Sequence, residues 1–281
     1  MPLPDQFDID DFVARVLAED LGTGGDVTSN ATIAADARFT AQMNARQAIV
    51  VAGLDIAAAF FGKLDADVRI EMLASDGDAV DPRSALMRLE GNARAMLAAE
   101  RSALNTLQHL SGIATLTRQY VDEIAGTGAT LLDTRKTIPG LRVLEKYASR
   151  MGGAQNHRMR LDDGVLIKDN HVAVCGGVAE AVRRAKAANT GLQVQVEVDR
   201  IDQIELALAA GADRLLLDNM PAHVLREAVA LVSKRVPLEA SGGVTLETIR
   251  EIAESGVDFI SVGRITQSAQ AVDIGLDYST I

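Results

Sequence analysis

The chain has 281 residues, is 48% apolar and 24% charged, and carries a formal net charge of −11. No apolar run approaches the roughly 18 residues that a membrane-spanning helix needs. The acidic balance, with 3% aromatic residues and no Trp, argues against nucleic-acid or anionic-membrane binding. The acidic start MPLPDQFDIDDF has no cationic segment, so we expect no secretory signal. The lone Cys175 fits a reducing cytoplasm and is expected to be a buried, apolar side chain.

The first 90 or so residues predict a mixed α/β unit with an open antiparallel sheet, because short alternating segments flank one helical segment. The expected helices cover 10–20 and 54–62, the expected strands lie near 37–52, 66–73 and 84–89, and LGTGGDVTS (21–29) is expected to be a loop. Its GTGGD run is glycine-rich but precedes no strand–helix unit, so direct ligand contact there is the weaker interpretation.

A long helix is predicted from Asn92 to about Gly126, with leucines at 97, 104, 107 and 110 on one apolar face. Glu100 and Arg101 lie on or beside that face. A charge in such a place needs a partner or a ligand. Two interpretations stay open here, an internal Glu–Arg pair between helices or an anionic ligand for Arg101.

From residue 129 onward, short apolar runs end in a polar residue and alternate with amphipathic helices. The runs are ATLLDT, GVLIKD, LQVQVEVD, ADRLLLDN, VPLEASGG and VDFISVGR, and the helices are expected at 176–189, 200–210, 221–234 and 245–255. Six such units predict a parallel α/β barrel, complete or slightly short. A Rossmann fold is less favoured because no G-x-G-x-x-G follows the first strand.

A cationic block lies within this acidic chain, between Asp133 and His171. It holds eight Lys or Arg against five Asp or Glu, a local balance of +3. Paired cations are the groups that bind small polyanions, and arginine suits carboxylates and phosphates. The block therefore predicts a pocket for a polyanionic small molecule.

The polar residues at the strand ends should meet at one mouth of a barrel, where barrel chemistry takes place. They are Arg135, Lys136, Lys168, Glu197, Asp218, Ser241, Gly242, Gly243, Gly263 and Arg264. Cations there would hold substrate carboxylates, acids would face a ribose, a metal ion or a developing positive charge, and glycine turns would bind phosphate. The alternatives are salt bridges for the acids and an ordinary tight turn for the glycines. We expect His109 and His223 to be structural, and no zinc-like cluster or hydrolase triad is visible.

Seven segments together resemble one family. They are ERSALNTLQHLSGIAT (100–115), DTRKTIPGLR (133–142), GGAQNHRMRLDDGVLIKDNH (152–171), VEVD (196–199), LLLDN (215–219), EASGGV (239–244) and SVGR (261–264). The order and spacing resemble quinolinate phosphoribosyltransferase over nearly the whole chain, and EDLGTGGDVTS (19–29) also fits. LIKDNH, NHR and DTRKT together are the specific signal.

The resemblance implies an N-terminal open-faced α/β sandwich domain over 1–110, an incomplete α/β barrel over 111–266, and a tail over 267–281 that returns to the first domain. It also implies a cytoplasmic homodimer that uses Mg²⁺ to convert quinolinate and phosphoribosyl pyrophosphate into nicotinate mononucleotide, CO₂ and pyrophosphate.

The resemblance further assigns roles to residues. Arg101 would enter the partner's site and, with Arg135, His157, Arg158 and Lys168, hold the quinolinate carboxylates. Lys136 would lie near the phosphate or pyrophosphate, Glu197 and Asp218 by the ribose and metal, and Ser241, Gly242, Gly243 and Gly263 around the 5′-phosphate. Lys136, Lys168, Glu197 and Asp218 would be the catalytic set.

Two departures from the family pattern affect the phosphate side: Arg264 stands where a small residue is frequent, and ITQSA (265–269) lacks a frequent His. Separately, GGA (152–154) replaces a glycine triplet. Arg264 could add a phosphate contact or pair with an acid, and the second is slightly favoured. The other candidate functions are a paralogue acting on a different anionic acceptor, such as the molybdenum-transport-associated relatives, and a non-catalytic binding protein.

Overall fold

The computed structural model of the chain describes residues 7–279. Its helices are α1 Ile9–Leu21, α2 Val27–Thr32, α3 Leu54–Leu64, α4 Ala93–Glu123, α5 Arg142–Met151, α6 Asp169–Cys175, α7 Val178–Ala187, α8 Asp202–Ala209, α9 Ala222–Val232, α10 Leu246–Ala253 and α11 Arg264–Gln267. Its strands are β1 Arg38–Ala45, β2 Ile49–Val50, β3 Arg69–Met72, β4 Ala79–Val80, β5 Ala85–Asn92, β6 Thr130–Leu132, β7 Val165–Ile167, β8 Val194–Val198, β9 Arg214–Asp218, β10 Leu238–Ser241, β11 Phe259–Ser261 and β12 Ile274–Ser279. Within this described part, no helix is both long and apolar enough to cross a membrane.

The first of two compact units contains the chain up to Arg118, residues 143–153 and the chain from Ser268 onward. Its main sheet is antiparallel in the order β12-β1-β5-β3. Met43 of β1 is opposite both Met87 of β5 and Leu276 of β12, and Met43 and Met87 are fully buried. Alternation along β1 therefore turns one row of side chains into the core of this unit.

The second unit, residues 119–142 and 154–267, contains a six-stranded parallel sheet in the order β6-β11-β10-β9-β8-β7. Consecutive strands are neighbours except β6 and β7, and β6 instead pairs with β11. The barrel is therefore open between its first two strands, where Gln155 adds an isolated bridge to Leu132. This confirms the predicted α/β class with a barrel-like second part.

All six apolar runs form strands of this sheet, and the four amphipathic segments form α7, α8, α9 and α10. Near-continuous burial along β8 and β9 is the pattern of parallel strands covered on both faces. The carboxyl ends of β6 to β11 consequently lie along one edge, which positions the polar residues that follow each strand.

Three sequence-based expectations are corrected. The predicted loop 21–29 runs into α2, because the Asp26 side chain accepts the Ser29 N–H at 2.9 Å and caps the helix. Cys175 is not a buried apolar residue but a partly exposed one at the end of α6. α6 itself was not predicted, because its seven residues bury no side chain and leave no apolar period to detect.

The predicted boundary between residues 110 and 111 falls inside α4, which continues unbroken from Ala93 to Glu123. The predicted tail contains β12, which pairs antiparallel with β1 from Ala45↔Ile274 to Thr40↔Ser279. Residues 1–6 and 280–281, which belong to the predicted first domain and tail, lie outside the described residues.

Candidate active site

A cavity of about 700 Å³ opens at the strand ends of the second unit. The wall of the cavity includes all the strand-end residues that the sequence predicted for this unit. It also includes the two residues of the NHR motif to which the family resemblance gave a role in substrate binding. These are Arg135, Lys136, His157, Arg158, Lys168, Glu197, Asp218, Ser241, Gly242, Gly243, Gly263 and Arg264. The barrel therefore brings the predicted cations, acids and glycine turns into one pocket.

Arg135 and Arg158 form the cationic side of this cavity. The Arg135 Nε is buried with no hydrogen-bond partner among the described residues. Burial lowers the pKa of Arg158, and the nearby charge of Arg135 lowers it further. Arginine stays protonated in proteins, so two like charges are held close together. An anion between them would relieve that repulsion, as expected for a carboxylate or phosphate site.

Lys168 links the cationic and acidic sides. It follows β7, and its Nζ donates to Glu197 Oε2 at 2.8 Å; Glu197 lies on the neighbouring strand β8. The lysine side chain is 48% exposed and the glutamate 12%. The ion pair can thus be opened or extended by an anion that enters from the mouth, because half of the lysine is already in solvent.

Asp218 ends β9 and is held by its neighbour. The Asn219 Nδ2 donates to Asp218 Oδ2 at 2.7 Å, and the Asn219 N–H donates to the Ser241 carbonyl at 2.8 Å. Asn219 has a left-handed backbone with φ 55°. This conformation brings the Asn219 N–H to β10, and Asp218 lines the cavity at the end of β9.

The turn after β10 requires glycine. Gly242 has φ 91°, and a Cβ there would lie 2.3 Å from Asn219 Oδ1 and 2.9 Å from Asn219 N. Gly243 also has a positive φ, 62°. Thr245 then caps α10, with its N–H bonded to Thr248 Oγ1 at 3.0 Å. Exposed backbone N–H groups of such a turn, ahead of a helix, are suited to phosphate.

Arg264 begins α11 beside Gly263, on the same side of the cavity. Among the described residues no carboxylate lies within ion-pair distance of Arg264, and its side chain is exposed. The pKa of Glu247 is nevertheless lowered by the Thr245 hydroxyl, by its own backbone and, as the smallest contribution, by the charge of Arg264, so the pairing of Arg264 with an acid stays a prediction. The phosphate contact stays a prediction.

A buried carboxylate fixes the NHR turn. Asp133 has no exposed surface; its two oxygens accept the His157 N–H at 2.8 Å and the Asn156 Nδ2 at 2.5 Å. Asp133 directly follows β6 and holds the backbone of the NHR turn. The end of β6 therefore determines the position of Arg158. Arg158 Nη1 in turn donates to the Gly164 carbonyl at 2.9 Å.

Sequence reasoning missed Asn219 and Glu239 as cavity residues. Both were inside quoted motifs, but a single asparagine after a strand resembles a turn residue, and a glutamate inside a strand resembles a surface residue. The alternation along β10 was the available signal, because it places Glu239 on the same face as Ser241.

Other cations of the 133–171 block serve local structure. Arg142 donates to Thr137 Oγ1 at 3.1 Å and to the Met159 carbonyl at 3.2 Å. Arg160 pairs with Asp162 at 2.8 Å on the surface. In the first unit, His109 Nε2 lies 2.9 Å from the buried Glu145, which agrees with the structural role expected for it.

Arg101 lies in the first unit, exposed on α4, and does not line the cavity. No carboxylate pairs with it in the described part of the chain, so the internal Glu–Arg pair is wrong. Burial raises the pKa of the neighbouring Glu100, and the Arg101 charge partly offsets that rise. Arg101 is thus an exposed arginine without a carboxylate partner among the described residues. The second interpretation, in which Arg101 binds an external anion, is the one to test.

Three carboxylates line this cavity, but Glu239 has no exposed surface and contacts Arg214 and Gln195, so a metal would find Glu197 and Asp218. The described residues contain no cluster of three or more His, Cys, Asp or Glu that could hold a metal ion. Two carboxylates fit Mg²⁺ when substrate phosphates supply the remaining oxygens, because Mg²⁺ keeps few protein ligands in phosphate-transfer sites.

Comparisons with known proteins agree with this geometry. Residues 26–111 match the N-terminal domain of quinolinate phosphoribosyl transferase, and residues 113–277 match its C-terminal domain. The chain belongs to the quinolinate phosphoribosyltransferase family. It is 43% identical over 272 residues to a Mycobacterium leprae protein named nicotinate-nucleotide pyrophosphorylase [carboxylating], covering 95% of this chain and 96% of the relative.

Solved structures of quinolinate phosphoribosyltransferase relatives share the fold. The nicotinate-nucleotide pyrophosphorylase of Francisella tularensis superposes with a TM-score of 0.92 at 42% identity, covering 96% of each chain. That of Ehrlichia chaffeensis superposes with a TM-score of 0.94 at 40% identity, covering 98% of this chain and all of the other. The family resemblance read from the motifs is therefore confirmed.

Proposed function

We propose that this chain transfers the phosphoribosyl group of phosphoribosyl pyrophosphate to quinolinate and removes one carboxylate as CO₂, giving nicotinate mononucleotide and pyrophosphate for NAD synthesis. The single observation that carries the proposal is the cavity wall, which joins adjacent guanidinium groups, two acids and a glycine turn in a member of this family. A dicarboxylate, a ribose and a phosphate each have a chemically matched part of that wall.

The acceptor would bind on the cationic side. Arg135, Arg158 and Lys168 would neutralise the two carboxylates of quinolinate, with His157 beside them. The two arginines can form planar, paired hydrogen bonds to carboxylates, which also orients the ring nitrogen. Correct orientation matters because that nitrogen must approach the ribose carbon from which pyrophosphate departs.

The donor would bind along the opposite side. Gly242, Gly243 and the start of α10 would hold the 5′-phosphate through backbone N–H groups, with Gly263 and Arg264 adjacent. Lys136 would neutralise the departing pyrophosphate. Glu197 and Asp218 would hold Mg²⁺ together with the substrate phosphates. Bound there, the ion would supply charge neutralisation for the leaving group.

The bond to pyrophosphate breaks as the quinolinate nitrogen bonds to the ribose C1. Positive charge develops on the ribose in the transition state, and the carboxylates of Glu197 and Asp218 would stabilise it by fixed electrostatics. The product ring nitrogen is cationic, so its charge stabilises the electron pair that stays on C2 when CO₂ leaves, and that pair then takes a proton from water. No protein nucleophile is required for either step.

Two further parts of the proposal concern the assembly. The exposed Arg101, which lacks a carboxylate partner in the described chain, would reach the cavity of a second copy in a homodimer. The single cysteine favours the cytoplasm as the place of the reaction.

The test is an acceptor comparison. Purified protein would be incubated with phosphoribosyl pyrophosphate and Mg²⁺ and with either quinolinate or nicotinate, and nicotinate mononucleotide would be quantified by chromatography. We expect product from quinolinate and none above background from nicotinate, because the site holds cations for two carboxylates. No product from quinolinate, together with turnover of another anionic acceptor, would favour the paralogue instead.

A further inference from the structure

A charged cluster lies beneath the cavity, inside the barrel of the second unit. Glu239 on β10 has no exposed surface, and Gln195 on β8 is also buried. The Glu239 Oε2 accepts from Gln195 Nε2 at 2.7 Å and lies 2.8 Å from Arg214 Nη2, on β9. Barrel interiors are dominated by branched apolar side chains, so a buried ion pair in this layer needs an explanation.

An aromatic ring covers the arginine of this ion pair, whereas Arg214 Nε and Nη2 and Glu239 Oε1 are buried with no hydrogen-bond partner among the described residues. The Arg214 guanidinium lies over the Phe259 ring at 3.9 Å from its centroid. The Glu239 Oε2 lies between a positive charge and a donor, 2.8 Å from Arg214 Nη2 and 2.7 Å from Gln195 Nε2, and both stabilise the ionised carboxylate. The carboxylate is therefore ionised at neutral pH and, with Arg214, forms a pair of zero net charge.

The upper side of this pair faces His157. The His157 Nε2 lies 3.5 Å from Glu239 Oε2, and the imidazole is 14% exposed. The other ring nitrogen is also occupied, since Nδ1 accepts the Arg158 N–H at 2.7 Å. A nitrogen that accepts a hydrogen bond carries no proton, so the proton of the ring is on Nε2.

We propose that Glu239, held by Arg214 and Gln195, is a positioning residue that fixes His157 as the neutral Nε2–H tautomer. His157 then contributes shape to the acceptor side of the cavity, and the positive charge comes from Arg135, Arg158 and Lys168. This inference rests on the proposed function, because it names quinolinate as the ligand. The tautomer of the His157 ring can be measured without quinolinate.

Charged groups near this ring come from several elements. Asp133 accepts the His157 N–H at 2.8 Å, Glu239 lies 3.5 Å from the ring Nε2, and Arg135, Arg158 and Lys168 line the same cavity. Arginine and lysine are charged at neutral pH, so the acceptor side stays cationic with a neutral His157.

The direct test is a nitrogen-15 NMR spectrum of protein labelled at histidine, without substrate. The chain has four histidines, so His157→Gln assigns the signal of interest by its loss. We expect the two ring nitrogens of His157 to report the Nε2–H form, because Nδ1 accepts the Arg158 N–H. An imidazolium, or a neutral Nδ1–H ring, would overturn the proposal whether or not the protein turns over quinolinate.

A matched pair of variants tests the positioning role. Glu239→Asp keeps the charge that Arg214 needs but withdraws the carboxylate from His157. We expect KM for quinolinate to rise about tenfold with kcat nearly unchanged, the factor given by loss of one charge-assisted hydrogen bond. The control Glu205→Asp shortens an exposed pair with Arg235 outside the cavity and should leave KM unchanged.

The outcomes separate the two proposals. An unchanged quinolinate KM in folded Glu239→Asp would overturn the positioning role, as would a larger effect on kcat than on KM. Failure of the wild-type protein to make nicotinate mononucleotide would instead contradict the proposed function. The His157 ring spectrum of folded Glu239→Asp would still test Glu239, because an unchanged tautomer in this variant would overturn the positioning role. If Glu239→Asp does not fold, Glu239→Gln is measured in the same way.

Discussion

Lys168 connects the acidic and cationic sides of the cavity through its 2.8 Å contact with Glu197. We predict that Lys168→Met lowers kcat/KM for quinolinate by about 100-fold or more, because a fixed donor of this kind stabilises charge in the transition state. Stability should change by no more than about 1 kcal/mol, since the lysine is half exposed. Steady-state kinetics and thermal unfolding measure the two effects.

The matched control is Lys186→Met. Lys186 forms a similar exposed pair, 2.9 Å from Asp213, away from the cavity. It should change stability by a comparable amount and leave kcat/KM within about twofold. Equal losses of activity in both variants would mean that Lys168 acts through stability and not at the site.

Most of the candidate site could be predicted at the residue scale because parallel strands end along one edge. Each polar residue directly after a buried run is therefore a candidate, and all ten strand-end residues line the cavity. His157 and Arg158 also line it, but they were assigned from the family resemblance. Glu239 and Asn219 could not be found in this way. Their roles depend on contacts with Arg214 and with Gly242, residues that are distant in sequence.

At the scale of the elements, the turn between β10 and α10 tolerates substitution least. We predict that Gly242→Ala lowers stability by about 1–3 kcal/mol and weakens phosphoribosyl pyrophosphate binding, because a Cβ at φ 91° would collide with Asn219. Chemical denaturation and the KM for phosphoribosyl pyrophosphate measure this.

Gly191→Ala is the control for backbone strain alone. Gly191 has φ 76° and open space around its Cα. It should lose about 1 kcal/mol from the left-handed conformation and keep its KM. If both variants retained wild-type KM, the glycine turn would have no part in phosphate binding.

α5 and the start of α3 are joined by a buried tyrosine. Tyr147 donates to Asp76 at 2.5 Å, and Asp76 also accepts the Gly53 and Leu54 N–H groups at 2.8 and 3.0 Å. Burial, then the bond and charge of Asp76, raise the pKa of Tyr147 above its usual 10.0. A raised folded pKa means that this stability is complete below pH 10 and is lost as the pH rises above it.

Tyr147→Phe should therefore be less stable than wild type at pH 7, by about 1 kcal/mol for the lost hydrogen bond. Its stability should fall less steeply than that of wild type between pH 10 and 11.5, because no buried phenol resists ionisation. Urea unfolding across this range measures the slopes. The exposed Tyr278→Phe should follow the wild-type slope, and an unchanged slope in Tyr147→Phe would contradict the assignment.

Helices and strands were predicted correctly where the pattern of apolar residues runs over many positions, and they were missed where it runs over few. The six buried strands and four amphipathic helices have a clear period, whereas α2 depends on one cap at Asp26 and α6 buries no residue. The opening of the barrel between β6 and β7 had no local signal, because it results from β6 pairing with β11, over 120 residues away.

At the scale of the whole molecule, the proposed dimer makes Arg101 part of a partner's site. Arg101→Ala and Lys168→Ala should each be inactive alone. Unfolding and refolding an equal mixture should restore about a quarter of wild-type activity, since half the dimers are mixed and each has one complete site. Each variant refolded alone is the control, and no gain over these controls would contradict a shared site.

The central claim is that one cavity joins phosphoribosyl transfer to loss of the quinolinate carboxylate next to the ring nitrogen. The direct measurement uses quinolinate labelled with carbon-13 at that carboxylate, with phosphoribosyl pyrophosphate and Mg²⁺, and counts the products. We predict equal amounts of unlabelled nicotinate mononucleotide, labelled CO₂ and pyrophosphate. Label retained in the nucleotide, or pyrophosphate released without CO₂, would contradict the account.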